Sequence, residues 1–443
     1  MTDTPKDMQT SSVVAGPGQD GEARSRWAWT EPTVWTERML GALENGVKGG
    51  VWFSLMDKVY SPKNLRAAWK RVRQNGGAAG VDRQSVEMFS AQADSALERL
   101  GKELRERQYR PMPVKRKWIP KPGSSKQRPL GIPAVRDRIV QGALRNVLEP
   151  IFERRFLDTS FGFRPGRGCK DALRRVDDLL HRGFRWVVDA DIQSYFDTIP
   201  HGLLMREVKK EVADGSVLEL IESYLKQSVM DGLKEHSPEE GTPQGAVISP
   251  LLANIYLHPV DLVMRDAGFE VVRYADDLVI LCETEERARH ALLLLHTEIT
   301  GRGLTLHPEK TRIVDVDQPG GFDFLGYHFE QGRKTPRDKS RKKFKDTVRS
   351  LTPRTAGHGI DTIIKRLNAV LRGWFQYFKH SHNWVFGSLD GWIRSRLRAI
   401  LLRFNKRRGT GHGFAHRRWP NQFFATHGLF SLAAAHAEAS RSR

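Results

Sequence analysis

Cysteine is nearly absent: the 443 residues contain two, Cys169 and Cys282. A disulfide framework and a zinc site of the CxxC kind are therefore excluded, and any bound metal must rest on oxygen ligands or histidine. Long hydrophobic runs are missing as well. No stretch of about 18 uninterrupted apolar residues occurs, and the start Met1-Thr2-Asp3-Thr4-Pro5 has no basic segment leading into an apolar one. Neither membrane insertion nor secretion is expected, which points to a soluble cytoplasmic protein. Acidic residues are scarce at one end only. Residues 331–443 hold 25 Lys and Arg against five Asp and Glu, which matches the formal net charge of +20 for the whole chain. Residues 101–140 carry a second excess, 12 basic against three acidic, which acidic stretches elsewhere cancel. Aromatics interleave both basic runs, so nucleic acid is the expected partner.

What is present fits a folded chain of about three domains at roughly 150 residues each. Residues 1–28 are polar and aperiodic and read as a flexible leader. From residue 29 to 100, apolar residues at helical spacing (Met39, Leu40, Leu43; Leu65, Trp69, Val72) predict a small helical extension. Residues 101–185 begin with a stretch at 109–134 that alternates basic, apolar and proline residues around a Gly-Ser turn, a basic β-hairpin. A long helix follows over Arg138–Phe156. Residues 186–330 open on the strand Arg185–Asp191 and include a second strand pair at Glu270–Cys282 with Asp276-Asp277 at its tip. Strand signals stop after about residue 360. Residues 331–430 form a basic helical region, and 431–443 a tail. The fold class is α+β followed by an all-α basic domain.

Three carboxylates stand in apolar surroundings: Asp191 at the end of one strand, Asp276 and Asp277 at the apex of a hairpin. Left unneutralised they would repel one another and lose hydration at several kcal/mol per buried charge. Mg²⁺ suits them, because it takes carboxylate oxygens while leaving positions for water and phosphate. Two such ions can activate a 3′-hydroxyl and stabilise departing pyrophosphate, the chemistry of nucleotidyl transfer. On residue types alone an ordinary Asp-Asp turn is the better account of the hairpin, since such turns are common and Tyr-Ala-Asp-Asp is only four letters. Asp189 rivals Asp191, since alternation puts both on one face.

Longer motifs decide between these readings. Tyr274-Ala275-Asp276-Asp277 resembles the YxDD box of reverse transcriptases, and Asp191-Ile192-Gln193-Ser194-Tyr195-Phe196 resembles their first metal-binding motif. Around them RPLGIP at 128–133, SFGFRPGRG at 160–168, GTPQGAVISPLLANIYL at 241–257, GLTLHPEKT at 303–311, FDFLGYHF at 322–329 and LNAVLRGWFQYF at 367–378 follow in the order seen in group II intron-encoded reverse transcriptases, the maturases. The resemblance covers residues 50–430. It implies a right-hand polymerase with fingers at 101–185 and palm at 186–330, then a thumb and maturase domain. No endonuclease module is expected.

The same resemblance implies roles for single residues. Asp191, Asp276 and Asp277, with Ile192 beside the first, would hold two Mg²⁺ ions, with Mn²⁺ a possible substitute. Phe196 would lie under the incoming sugar and reject a 2′-hydroxyl, Gln244 would sit beside nucleotide and template, and Lys121 and Arg128 would hold the triphosphate. Lys310 corresponds to a lysine proposed to protonate pyrophosphate. The expected partners are group II intron RNA, an RNA template with a DNA primer or target, and dNTPs. From the charge pattern of the helix over 388–408, Arg394, Arg396, Arg398, Arg403 and Arg407 are the expected RNA-binding residues. Two alternatives remain: a splicing cofactor with polymerisation secondary or lost, and a domesticated or defence-associated reverse transcriptase.

Overall fold

The computed structural model describes residues 26–47, 49–120, 127–232, 234–353, 357–407 and 413–441. Most of the expected leader, and Lys121, lie outside them. The chain divides into two compact units, Met1–Asp178 with Ala190–Ile313, and Leu179–Asp189 with Val314–Arg443.

In the first unit the helices Glu37–Asn45, Met56–Val59, Pro62–Asn75, Val86–Ser90 and Ala93–Arg105 precede a long helix, Val135–Glu153. That helix is apolar on most of its circumference, so it is enclosed on most sides: Ile139, Val140, Ala143, Leu144, Val147 and Leu148 are fully buried. Some of its buried polar groups are satisfied by residues of the N-terminal region. Asn64 Nδ2 donates to the Ala143 carbonyl at 3.0 Å, Asn146 Nδ2 to Asn64 Oδ1 at 2.8 Å, and Trp35 Nε1 to the Asn146 carbonyl at 2.8 Å.

The predicted basic hairpin is β1 (Val114–Pro120) and β2 (Gln127–Ile132), antiparallel with Trp118 opposite Pro129 and Ile119 opposite Arg128. β3 (Trp186–Asp191) is the strand expected to end in acid. Two short strands missed from sequence, β4 (Val229–Asp231) and β5 (Lys234–His236), extend the hairpin into a sheet of order β2-β1-β4-β5. β6 (Glu270–Tyr274), β7 (Asp277–Cys282) and β8 (Arg312–Asp315) complete a second sheet of order β6-β7-β3-β8. Leu278–Cys282 of β7 are all buried, because the helices Ser249–Asp266 and Glu285–Gly301 pack on β6 and β7.

The second unit holds β9 (Phe322–Phe324), β10 (Tyr327–Glu330) and β11 (Arg333–Pro336), an antiparallel sheet in which Phe322 and Phe329 stack at 4.9 Å. Tyr327 and the helix Ile360–Phe378 are tied by reciprocal bonds: Tyr327 Oη donates to the Tyr377 carbonyl at 2.6 Å and Tyr377 Oη to the Leu325 carbonyl at 2.7 Å. The helices Asp338–Leu351, Ile360–Phe378 and Trp384–Phe404 bury Phe344, Leu367, Leu371, Phe386, Ile393 and Leu397 between them. Where the sequence suggested a tail, Leu432–Arg441 is helical. Buried Asp390 caps it, accepting from Leu432 N at 3.0 Å and Ala433 N at 3.1 Å. Among the described residues no helix is long and apolar enough to cross a membrane.

Candidate active site

β6 and β7 close on two residues: Tyr274 pairs with Asp277, leaving Ala275 and Asp276 as the loop. Ala275 has φ +60°, at the loop position that glycine fills in a type II′ turn. The surroundings hold this alanine in place. Gly162 passes so close that a Cβ on it would lie 2.3 Å from the Ala275 nitrogen. Asn254 Nδ2 donates to the Gly162 carbonyl at 2.8 Å. From below, Arg273 Nη1 donates to the Ala275 carbonyl and to Asn254 Oδ1, both at 3.0 Å. Its Nε and Nη2 donate to Asp261 at 2.8 and 2.5 Å. Arg273 is 2% exposed and Asp261 3%. A buried guanidinium, matched by its own carboxylate, therefore supports the backbone of the hairpin tip.

Asp191 ends β3. Just beyond it Ile192 bridges to Leu306, flanked by His307 N donating to the Asp191 carbonyl at 2.7 Å and Gln193 N to the Thr305 carbonyl at 2.9 Å. Neither bond uses the Ile192 carbonyl. The same loop returns Lys310, whose Nζ donates to Asp191 Oδ2 at 2.6 Å. Burial pushes the Asp276 carboxyl above its usual range and the Asp191 charge adds to the rise, while Lys310 and Arg273 oppose it. Asp191, Asp276 and Lys310 thus form one electrostatic group, with Asp277 next along the chain at the start of β7. Among the described residues no three His, Cys, Asp or Glu side chains are gathered in a metal-holding cluster. The donor chemistry still fits a hard cation: carboxylate oxygens, a neighbouring peptide carbonyl, and a carboxyl whose charge Lys310 and Arg273 compensate only in part.

Phe196 lies in the short turn Tyr195–Asp197 that follows β3. Thr242 N donates to its carbonyl at 2.6 Å. Gln244 is beside it, its Nε2 donating to Asp197 Oδ1 and Oδ2 at 3.1 and 3.0 Å. The Gln244 carbonyl accepts from Gly131 N of β2 at 2.6 Å, and at Gly245 (φ +104°) a Cβ would lie 2.3 Å from the Gly131 carbonyl oxygen. Glycine at 245 is what lets this turn meet the basic hairpin. Arg116, Asp197, Glu240 and Gln244 line a cleft of about 270 Å³ at the junction. Arg128 is exposed on β2.

Residues 119–329 match the family Reverse transcriptase (RNA-dependent DNA polymerase), and residues 341–419 match Group II intron, maturase-specific domain. Protein YkfC of Escherichia coli K12 is 32% identical over 351 residues, covering 69% of this chain and 86% of that one. The chain belongs to the group II intron reverse transcriptases. It is accordingly an RNA-directed DNA polymerase by family, and divalent-metal dependence is general to that family. The group II intron-encoded protein LtrA of Lactococcus lactis subsp. cremoris is 34% identical over 258 residues, covering 57% of this chain and 42% of LtrA. A solved structure of telomerase from Candida albicans with the TWJ fragment of telomeric RNA aligns at a TM-score of 0.41 and 15% identity, covering 73% of this chain and 64% of that one.

In the maturase-specific domain of this reverse transcriptase the five expected RNA-binding arginines part company. Arg403 and Arg407 are exposed. Arg398 is not: it is 3% exposed, its Nε donates to the Trp419 carbonyl and its Nη2 to Asn421 Oδ1, both at 2.8 Å, and it lies over Phe424. Its guanidinium is thus taken up by protein partners, because the helix is enclosed on more sides than one apolar stripe implied. Arg396 donates to Thr352 Oγ1 and its carbonyl, both at 2.9 Å, closing the C-terminus of Asp338–Leu351. Arg394 is 4.0 Å from the buried Asp390 carboxylate. A cationic group that the sequence reading missed lies nearby, with Lys345, Arg349 and Arg396 each within 5.6 Å of the Trp392 ring centre. Also missed was the support beneath the hairpin, Arg273 with Asp261 and Asn254. Its one legible signal was a charge at Arg273 directly after the apolar pair Val271-Val272.

Proposed function

We propose that this chain is an intron-encoded RNA-templated DNA polymerase that works by two-metal nucleotidyl transfer, and that it also binds its intron RNA to assist splicing and mobility as part of a cytoplasmic ribonucleoprotein. The observation that carries the reading is the electrostatic group of Asp191, Asp276 and Lys310, with Asp277 adjacent, at the ends of two apolar strands. A half-buried carboxyl whose charge is undercompensated is the expected host for a cation. Asp191, Asp276, Asp277 and the Ile192 carbonyl would hold Mg²⁺, which when bound supplies charge to activate a 3′-hydroxyl and to neutralise pyrophosphate. Within the protein itself, Phe196 faces the nucleotide sugar, Gln244 positions base and template, Arg128 meets the triphosphate, and the Lys310 ammonium can supply a proton to the leaving group. Lys121 belongs to the same proposed triphosphate set.

The test is primer extension on an RNA template with Asp276→Asn/Asp277→Asn, read together with a melting curve. Loss of extension with melting retained is the expected result. Extension near the wild-type rate would remove the assignment.

A further inference from the structure

Phe163 has a backbone and an exposure that its packing does not explain. Its φ is +59°, a left-handed conformation that is an outlier for a bulky aromatic residue. Its side chain nevertheless gains little burial, since the residue is 45% exposed. The strain is imposed next door. Gly162 runs hard against the Ala275 nitrogen of the hairpin tip, and its carbonyl is held by Asn254. The chain then turns through Phe163 and sets its ring between two others: the Phe196 ring 6.4 Å away and edge-on at 81°, and the Tyr274 ring also 6.4 Å away. Strained backbone that yields no core packing is characteristic of residues serving a site.

We propose that Phe163 is a positioning residue for sugar selection: it braces the Phe196 ring against the hairpin that carries Asp276, and so fixes how closely that ring meets C2′ of the incoming nucleotide. The inference rests on the reading of Phe196 as the sugar-facing residue. A ring free to retreat tolerates a 2′-hydroxyl, so the brace sets discrimination. An edge-to-face pair is worth a modest amount, corresponding to roughly a three- to tenfold change in selectivity.

The experiment measures kcat/KM for dNTP and for rNTP insertion by the full chain on a DNA primer and RNA template, for wild type, Phe163→Ala, Phe196→Ala and the double variant. Phe163→Ala is expected to lower the dNTP/rNTP ratio by about three- to tenfold, Phe196→Ala to lower it further, and the double variant to match Phe196→Ala, because a brace has no effect once the braced ring is gone. Phe163→Tyr, which keeps the ring, should restore the ratio. Phe163→Gly relieves the backbone and should lose selectivity without losing thermal stability, which separates the role from folding. If Phe196→Ala changes the ratio and Phe163→Ala does not, the brace is wrong and the sugar-facing role survives. Additive losses in the double variant, or equal losses for both sugars, also overturn the brace. If neither single variant moves the ratio, the reading of Phe196 fails.

Discussion

The Lys310 ammonium donates to Asp191 Oδ2 across 2.6 Å, joining two residues 119 positions apart in the chain. The bond exists because loop 305–310 is pinned to the end of β3 by the His307 and Gln193 backbone bonds. An ammonium and a divalent cation compete for one carboxylate oxygen. Lys310→Gln is therefore expected to lower the Mg²⁺ concentration giving half-maximal extension, while lowering the maximal rate by about tenfold or more if the lysine also transfers a proton. A Mg²⁺ titration of single-nucleotide insertion measures both. An unchanged midpoint would show that Lys310 does not hold Asp191 in solution.

The Arg273–Asp261 pair makes a stability prediction. Both groups are nearly inaccessible, so removing one partner leaves the other charged, buried and unmatched. Asp261→Ala should cost about 3–5 kcal/mol, visible in the denaturant midpoint. Arg273→Met with Asp261→Leu should cost clearly less, since no charge is stranded. Equal losses in both variants would overturn the argument that a stranded charge sets the cost.

Much of this site was legible from residues whose chemistry is local. Asp191 and Asp276 stand out as acids closing β-branched strands, and a two-residue hairpin at 274–277 follows from apolar runs on both sides. The long helix at 135–153 and the hairpin of β1 and β2 were legible in the same way, from periodicity. Arg273, Gly162 and Phe163 were not: Gly162 and Phe163 act through the hairpin tip about 110 residues on, and Arg273 through Asp261 and Asn254 on the preceding helix. Arg398 shows a different limit of periodicity. Its helix is buried on more than one side, and the carbonyl of Trp419 and the side chain of Asn421 satisfy a guanidinium that periodicity alone assigns to solvent.

Asp137 gives a pH prediction. Burial pushes its carboxyl up to about 6 from 3.8, against the opposing hydrogen bonds from Tyr109 Oη at 2.6 Å and Met112 N at 3.0 Å. The folded chain then holds this proton more tightly than the unfolded chain does. Its contribution to stability is present at low pH and is lost as pH rises from about 4 to about 6. Asp137→Asn should flatten that part of the stability profile relative to wild type, as measured by melting temperature between pH 4 and pH 7. A wild-type and variant pair with parallel profiles would show that Asp137 titrates normally.

The maturase-specific domain separates two kinds of arginine, and the separation can be measured. Arg403 and Arg407 are exposed, Arg349 is half exposed, and Lys345 shares the Trp392 ring with it. Arg349 also meets Asp346 at 2.6 Å, but a pair this exposed is weak and leaves the cation available to a phosphate. Neutralising about four phosphates corresponds to a log-log salt slope of roughly −3 to −4. Changing Lys345, Arg349, Arg403 and Arg407 together to Gln should make the salt dependence of intron RNA binding shallower by about that amount, with little change in melting temperature. Arg398→Gln should do the reverse. It strips bonds from the Trp419 carbonyl and Asn421 inside the core, so melting falls while the salt slope of the folded fraction stays put. Salt titrations of RNA binding at a temperature where both proteins are folded measure the slopes. A slope that shifts with Arg398→Gln and not with the fourfold variant would place the RNA contacts on a different face of the domain.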